Sequence, residues 1–312
     1  MTVWRLTKKQ VTVRIIVLLV LLIAAYALLC RRAARHWKPV PVTVQTETRQ
    51  PSIYVDPAGT TQETRILPPE GYERVPAAEG SFLAFMRSRP LYPDGSAIYT
   101  YTGEVRSGAT AIAVYDMSVG TEGWQECADT VIRFWSDYFR ETNQTDRLSF
   151  HLTNGFVCDW ASFSKGKRVL GFGDFAMWLP LKMPSSSEQT FRDWQMTVMH
   201  YAGSRSLEAE SHTVTPQEIR TGDILCRGGS PGHVVLFADE AVNEAGERCF
   251  LLAQGLIPAQ SAHILYAGDQ MQNPWITEKQ LGEYPVRAGA YTFNADQLRR
   301  WGEGFADSAE SQ

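Results

Sequence analysis

Histidine and cysteine are scarce in this 312-residue chain, six and five respectively. No Cys-x-x-Cys and no His-x-x-x-His occurs, so the usual spacings for a zinc site are missing, and neither a metal nor another cofactor is expected. There is no Gly-x-x-x-x-Gly-Lys run to cradle a phosphate, and no internal repeat. Acidic residues are absent from the first 38 positions, which carry eight of the 30 Lys/Arg. The remainder therefore holds 22 bases against 34 acids. An acidic body repels phosphate backbones, so nucleic acid is excluded as an expected partner. Disorder is excluded too: 44% hydrophobic residues and nine Trp allow a substantial core.

What is present begins with a hydrophobic run. Arg5, Lys8, Lys9 and Arg14 precede an uncharged stretch from Ile15 to Leu29. Counted from Val11 to Cys30, with Arg14 snorkelling, it reaches the roughly 20 residues a bilayer requires. Residues 1–38 are thus expected to be a single-pass membrane anchor or a signal segment. No small-x-small cleavage site follows cleanly. Cys30 would be a lipidation candidate, but Leu29 lacks the small side chain expected ahead of such a site. Bases flank the run on both sides, so charge does not orient it. The expectation taken is a cytoplasmic amino terminus and an extracytoplasmic body.

Residues 39–65 show no sustained periodicity and read as a flexible linker. The body is expected over 66–305 and a disordered tail over 306–312. Within the body, residues 81–88 read as a short helix, and 97–101 and 111–116 as strands. Glu122 to Arg140 carries apolar residues at helical spacing. A second helix is expected from Ser186 to Ala202, with Ser185 and Glu188 as capping box and Gly203 as its stop. Thr215-Pro216 opens a short third helix. Strands cluster after Gly222. Helices followed by strands argue an α+β fold.

His233 stands at the start of an apolar strand, after the loop Gly228 to Gly232. The next strand, Cys249 to Gln254, can deliver an amide beside that imidazole. A histidine so oriented is equipped as a general base. Cys127, near the start of the first long helix, is the candidate nucleophile, because the dipole there favours a thiolate. The competing reading is a buried core cysteine. Gln125 and Gly232 are candidates for binding an oxyanion or substrate, and Gln260 for contacting substrate. His263 is an alternative imidazole. Asp223 reads as a turn cap, Asn273-Pro-Trp275 as a packed turn, and Lys165, Lys167 and Arg168 as a hairpin rim. Cys226 and Cys249 fall in segments that could be neighbouring strands, so a disulfide between them is open.

Two resemblances follow from these motifs. Leu67-Pro-Pro-Glu-Gly-Tyr72, the segment from Trp124 to Arg133, Tyr201 to Leu207, Gly228 to Val235, Phe250 to Gln254, Pro258-Ala-Gln260 with His263-Ile-Leu265, and Asn273-Pro-Trp275 resemble domain-of-unknown-function family 4846, a bacterial envelope family, across about residues 66–300. More distantly, Cys127 on a helix, Gly222-Asp223-Ile224 and Gly232-His233-Val234 are similar to NlpC-type papain-like peptidases and amidases. That likeness implies a helix packed on an antiparallel sheet, with Cys127 as nucleophile, His233 as base and Gln254 as orienter. It departs in carrying Glu126-Cys127-Ala128-Asp129 where those enzymes have Asp-Cys-Ser-Gly, and in the long helical insert before the histidine. The function implied is a thiol-dependent amide or peptide hydrolase acting on cell-wall peptide or another amide. The alternatives are a non-catalytic, membrane-tethered binding or scaffold protein, and an acyltransferase or transpeptidase using the same residues.

Overall fold

The structure, a computed structural model, describes residues 8–32, 36–46, 52–106, 111–267 and 273–301. In chain order the helices are α1 (Lys8–Arg32), α2 (Gln62–Arg65), α3 (Phe82–Arg87), α4 (Cys127–Glu141), α5 (Trp160–Ser164), α6 (Glu188–Tyr201), α7 (Ser204–Ala209) and α8 (Glu278–Leu281). The strands are β1 (Tyr72–Arg74), β2 (Ala113–Val114), β3 (Ser149–His151), β4 (Val157–Asp159), β5 (Lys167–Phe172), β6 (Phe175–Pro180), β7 (Ser211–Thr213), β8 (Ile224–Arg227), β9 (His233–Asn243), β10 (Arg248–Gln254), β11 (His263–Ile264), β12 (Trp275–Thr277), β13 (Val286–Ala288), β14 (Tyr291–Phe293) and β15 (Leu298–Trp301).

Nine strands form one antiparallel sheet in the order β2-β11-β10-β9-β8-β15-β7, with β1 added to β9 and β12 to β10. Three further hairpins, β3–β4, β5–β6 and β13–β14, stand apart. The architecture is mixed α and β, dominated by antiparallel pairing.

Strand alternation builds two cores. Val234, Leu236 and Ala238 face one side with Ile132, Trp135 and Phe139 of α4, while Val235, Phe237 and Leu252 face the other with Val286 and Phe293. Both faces of β9 are therefore buried, which explains its near-continuous apolar run. Two adjacent acids, Asp239 and Glu240, interrupt it. Asp239 is fully buried on β9 and accepts from Arg74 Nε at 2.9 Å and Arg87 Nε at 2.8 Å, tying β1 and α3 to the sheet.

The long helix begins later than periodicity suggests. Residues 122–126 are not helical, and Cys127 is its first residue. Glu126 is extended, and its N–H donates to Asp129 Oδ2 at 3.1 Å. Trp124, expected on the apolar stripe, instead lies in the preceding loop with its ring 4.3 Å from that of His200. From Cys127 to Phe139 every residue of α4 is buried. Phe82 of α3 stacks on Trp135 at 3.9 Å.

Smaller expectations also shift. Ser187, not Ser185, caps α6, accepting from the Thr190 N–H. Residues 97–101 form only isolated bridges, at Tyr99 and Thr100. Cys226 and Cys249 are free thiols on β8 and β10, with β9 between them. Two strand spacings, about 9–10 Å, exceed the reach of a disulfide. The stretch expected as a flexible linker is partly built into the body: the Val40 N–H donates to Ser118 Oγ at 2.8 Å, and Gln62 and Arg65 of α2 are buried. The expected tail lies outside the described residues, as does the side chain of Cys30.

In α1 the side chains from Val13 to Leu28 are exposed, and Arg14 is the one charge in that run. Among the described residues no helix is long and apolar enough to cross a membrane.

Candidate functional site

Three polar side chains meet on one face of the sheet, drawn from adjacent antiparallel strands β9, β10 and β11. His233 Nε2 lies 2.8 Å from Gln254 Oε1, Gln254 Nε2 lies 3.1 Å from His263 Nε2, and His263 Nδ1 lies 2.9 Å from the Ser261 carbonyl. All three side chains are almost fully buried. Their protons can be assigned from the far end. A carbonyl only accepts, so His263 Nδ1 carries the proton and its Nε2 offers a lone pair. The Gln254 amide must then donate to His263 and turn its oxygen to His233. That leaves His233 protonated on Nε2, with a free lone pair on Nδ1. Among the described residues Nδ1 has no hydrogen-bond partner. It is the position from which a base would act.

Packing fixes the group further. Tyr291 of β14 stacks on the His233 ring at 3.8 Å and 15°. Gly289, in the β13–β14 turn with φ +58°, brings backbone to the Gln254 amide, and a Cβ there would sit 3.5 Å from Gln254 Nε2. Burial pushes both imidazoles down, each to about 4, so both are neutral at pH 7. For His233 the bond to Gln254 opposes that burial, and the charge of Arg227 adds to it.

Cys127 approaches the same strand ends from the opposite face of the sheet, the one α4 covers. His233 shares the parity of Val235 and Phe237, packs against Tyr291 and Phe293, and does not itself line the cleft at Cys127. Gly255 permits this, since a Cβ there would lie 2.2 Å from Thr130 Oγ1 and 2.8 Å from the Glu126 carbonyl. The start of α4 therefore rests on the end of β10. The backbone N–H of Val234, the residue after His233, is near enough to the thiol to favour its charged form against burial. Cys127, Asp129, Gly203, Ser204, Gly232 and Tyr291 line a cleft of about 440 Å³. Tyr291 thus connects the cleft wall to the imidazole it covers. Among the described residues no hydrogen bond joins the thiol to His233.

The thiol is not the thiolate that a helix start suggests. Burial pushes it up to about 11, with Asp129 and Glu126 adding to the rise, against the backbone N–H groups of Val234 and Ala128. Removal from water outweighs the helix dipole here. Asp129, buried in the cleft wall with Oδ1 unpartnered among the described residues, is itself held well above the usual carboxylate range by burial.

The other candidates separate. Gly232 lines the cleft, and its missing Cβ lets Ser204 Oγ approach, to 2.2 Å of where that carbon would be. Gln125 is buried away from the cleft lining and accepts from Arg133 Nη1 at 3.0 Å, so its oxygen serves α4. Gln260 is fully buried, with neither amide atom partnered among the described residues, and does not line the cleft. Asp223 accepts from the Arg220 N–H and from the Arg300 guanidinium, a structural pairing. Trp275 donates its indole N–H to the Leu67 carbonyl inside the core. Sequence reasoning missed Tyr291, since a tyrosine in a short hairpin carries no local signal. It found His263 but as a rival of His233 rather than a link behind it.

Residues 62–300 match the family described as Domain of unknown function (4846). The chain belongs to that family. No curated protein and no solved structure matches it. The family description names no activity, so the chemistry rests on the side chains themselves.

Proposed function

We propose that the body is a thiol-dependent amide or peptide hydrolase of the bacterial cell envelope, on a papain-like arrangement, attached to a membrane through α1 with the body extracytoplasmic. The observation that carries the catalytic reading is the chain from Ser261 through His263 and Gln254 to His233, which leaves one imidazole lone pair free at the start of β9, the strand whose other face α4 covers. In this reading His233 Nδ1 takes the thiol proton as Sγ attacks the acyl carbon. The tetrahedral oxyanion is met by N–H groups at the start of α4. The C–N bond breaks, the amine leaves with the proton from His233, and water then hydrolyses the thioester by the reverse proton route. Because both groups rest neutral, attack and proton transfer are coupled rather than preceded by a standing ion pair.

The exposed apolar run Val13 to Leu28 supports the attachment, and cell-wall peptide is the substrate class put forward. The lack of a hydrogen bond between the thiol and His233 among the described residues, and the high pKa of that thiol, favour a second reading, a tethered binding protein that keeps the groove without the chemistry. An acyltransferase or transpeptidase would use the same residues and differ only in the acceptor. The test is release of new amino termini from peptidoglycan fragments by wild type, Cys127→Ala and His233→Ala chains. Release by wild type alone supports hydrolysis. Fragment binding by all three without release supports the groove.

A further inference from the structure

We infer that the β5–β6 hairpin is a second membrane contact, lying on an anionic bilayer surface beside the end of α1. This rests on the attachment through α1 proposed above. In the hairpin Leu170 pairs with Met177 and Arg168 with Leu179, and directly opposed residues project to the same face. Phe175 lies two residues from Met177 and so shares that face. Phe175 and Met177 are 58% and 38% exposed, and Met183 just beyond is 83% exposed. The occupied end of the same surface shows what continues it. Leu29 of α1 sits in a groove with Arg168, Val169, Leu170 and Leu181, so the hairpin extends the apolar surface of a helix already exposed along its length. Charge matches as well. Residues 165–182 hold Lys165, Lys167, Arg168 and Lys182 against the single acid Asp174, in a body that is otherwise acidic. The basic residues stand at the open end of the hairpin and the exposed Phe175 and Met177 toward its turn, with Asp174 beside Phe175; an apolar tip backed by lysines is the composition of an interfacial segment. The groove shares Trp124 and His200 with the Cys127 cleft, so a hairpin resting on the bilayer sets that cleft alongside the membrane surface.

The test uses the full chain carrying Cys30→Ser and Cys127→Ala, with Phe175→Cys or, separately, Ile53→Cys labelled by an environment-sensitive fluorophore. Ile53 is 81% exposed and lies off the hairpin. Each chain is floated with vesicles of phosphatidylcholine and phosphatidylglycerol, with or without doxyl-labelled lipid. The label at 175 is expected to shift to the blue and be quenched about twofold by the doxyl lipid, while the label at 53 is unchanged. A chain that floats with the label at 175 as water-exposed as that at 53 overturns the inference and leaves the α1 attachment standing. A blue shift without lipid quenching also overturns it, since a protein contact then covers the hairpin. Failure to float removes the α1 attachment and the inference together.

Discussion

Acidification should unfold this protein through the two buried imidazoles. Both His233 and His263 are pushed down to about 4, against about 6.5 in an unfolded chain. The unfolded state therefore takes up protons first as the pH falls. The stability they contribute is fully present above about pH 6.5 and is lost on the way to pH 4. At pH 4.5 each such group costs about 2–3 kcal/mol relative to neutral pH, and the pair about 5, as upper values. That is a large part of the 5–15 kcal/mol typical of a folded domain. Buried carboxyls such as Asp129, held above their usual range by burial, act in the opposite sense. A difference measurement cancels them. His263→Gln removes one titrating ring and keeps an oxygen to accept from Gln254. Urea unfolding of the full chain, followed by tryptophan fluorescence between pH 7.5 and 4.5, should show a wild-type loss about 2–3 kcal/mol greater than that of the variant. Parallel stability curves for the two proteins would refute the reasoning.

Three further outcomes follow from named contacts. Gln254→Leu leaves the Nε2–H of His233 buried without an acceptor, and should cost about 2–3 kcal/mol in urea unfolding while shifting the ¹⁵N signals of His233 toward a mixture of tautomers. An unchanged tautomer would contradict the proton assignment. Gly255→Ala drives a methyl into Thr130 Oγ1 and the Glu126 carbonyl, so a loss of about 1–3 kcal/mol with faster amide exchange at the start of α4 is expected. Asp239→Ala strands the Arg74 and Arg87 guanidinium groups inside the sheet, for a loss of about 3–5 kcal/mol in the same assay.

Much of the site could be read from local pattern, and what escaped was tertiary. The apolar run after His233 and the next strand ending in Gln254 were enough to expect neighbouring strands, but the register shift between Leu251 and Leu252, which puts the Gln254 amide on the imidazole's face, carried no local signal. The short helix expected over 81–88 and the buried stripe of α4 were likewise local signals. The start of α4 was not legible, since Trp124 continues the helical spacing while its ring is engaged by His200 from a distant helix. The thiol's state was misjudged because a helix start is visible in sequence and burial is not. Cys226 and Cys249 looked like strand neighbours because the order β8-β9-β10 puts a whole strand between segments that composition alone cannot space. Tyr291 illustrates the remainder: its value lies in the ring it covers, which belongs to another part of the chain.

The central claim is that Cys127 is made reactive by His233, although burial holds its thiol protonated. Peptide mapping after brief exposure of the native chain to chloroacetamide tests this directly. Cys127 should be alkylated at least about tenfold faster than Cys158, Cys226 and Cys249, which are fully buried, and His233→Ala should abolish that advantage. Modification of all four at one rate, or of Cys127 equally in the presence and absence of the imidazole, would contradict it.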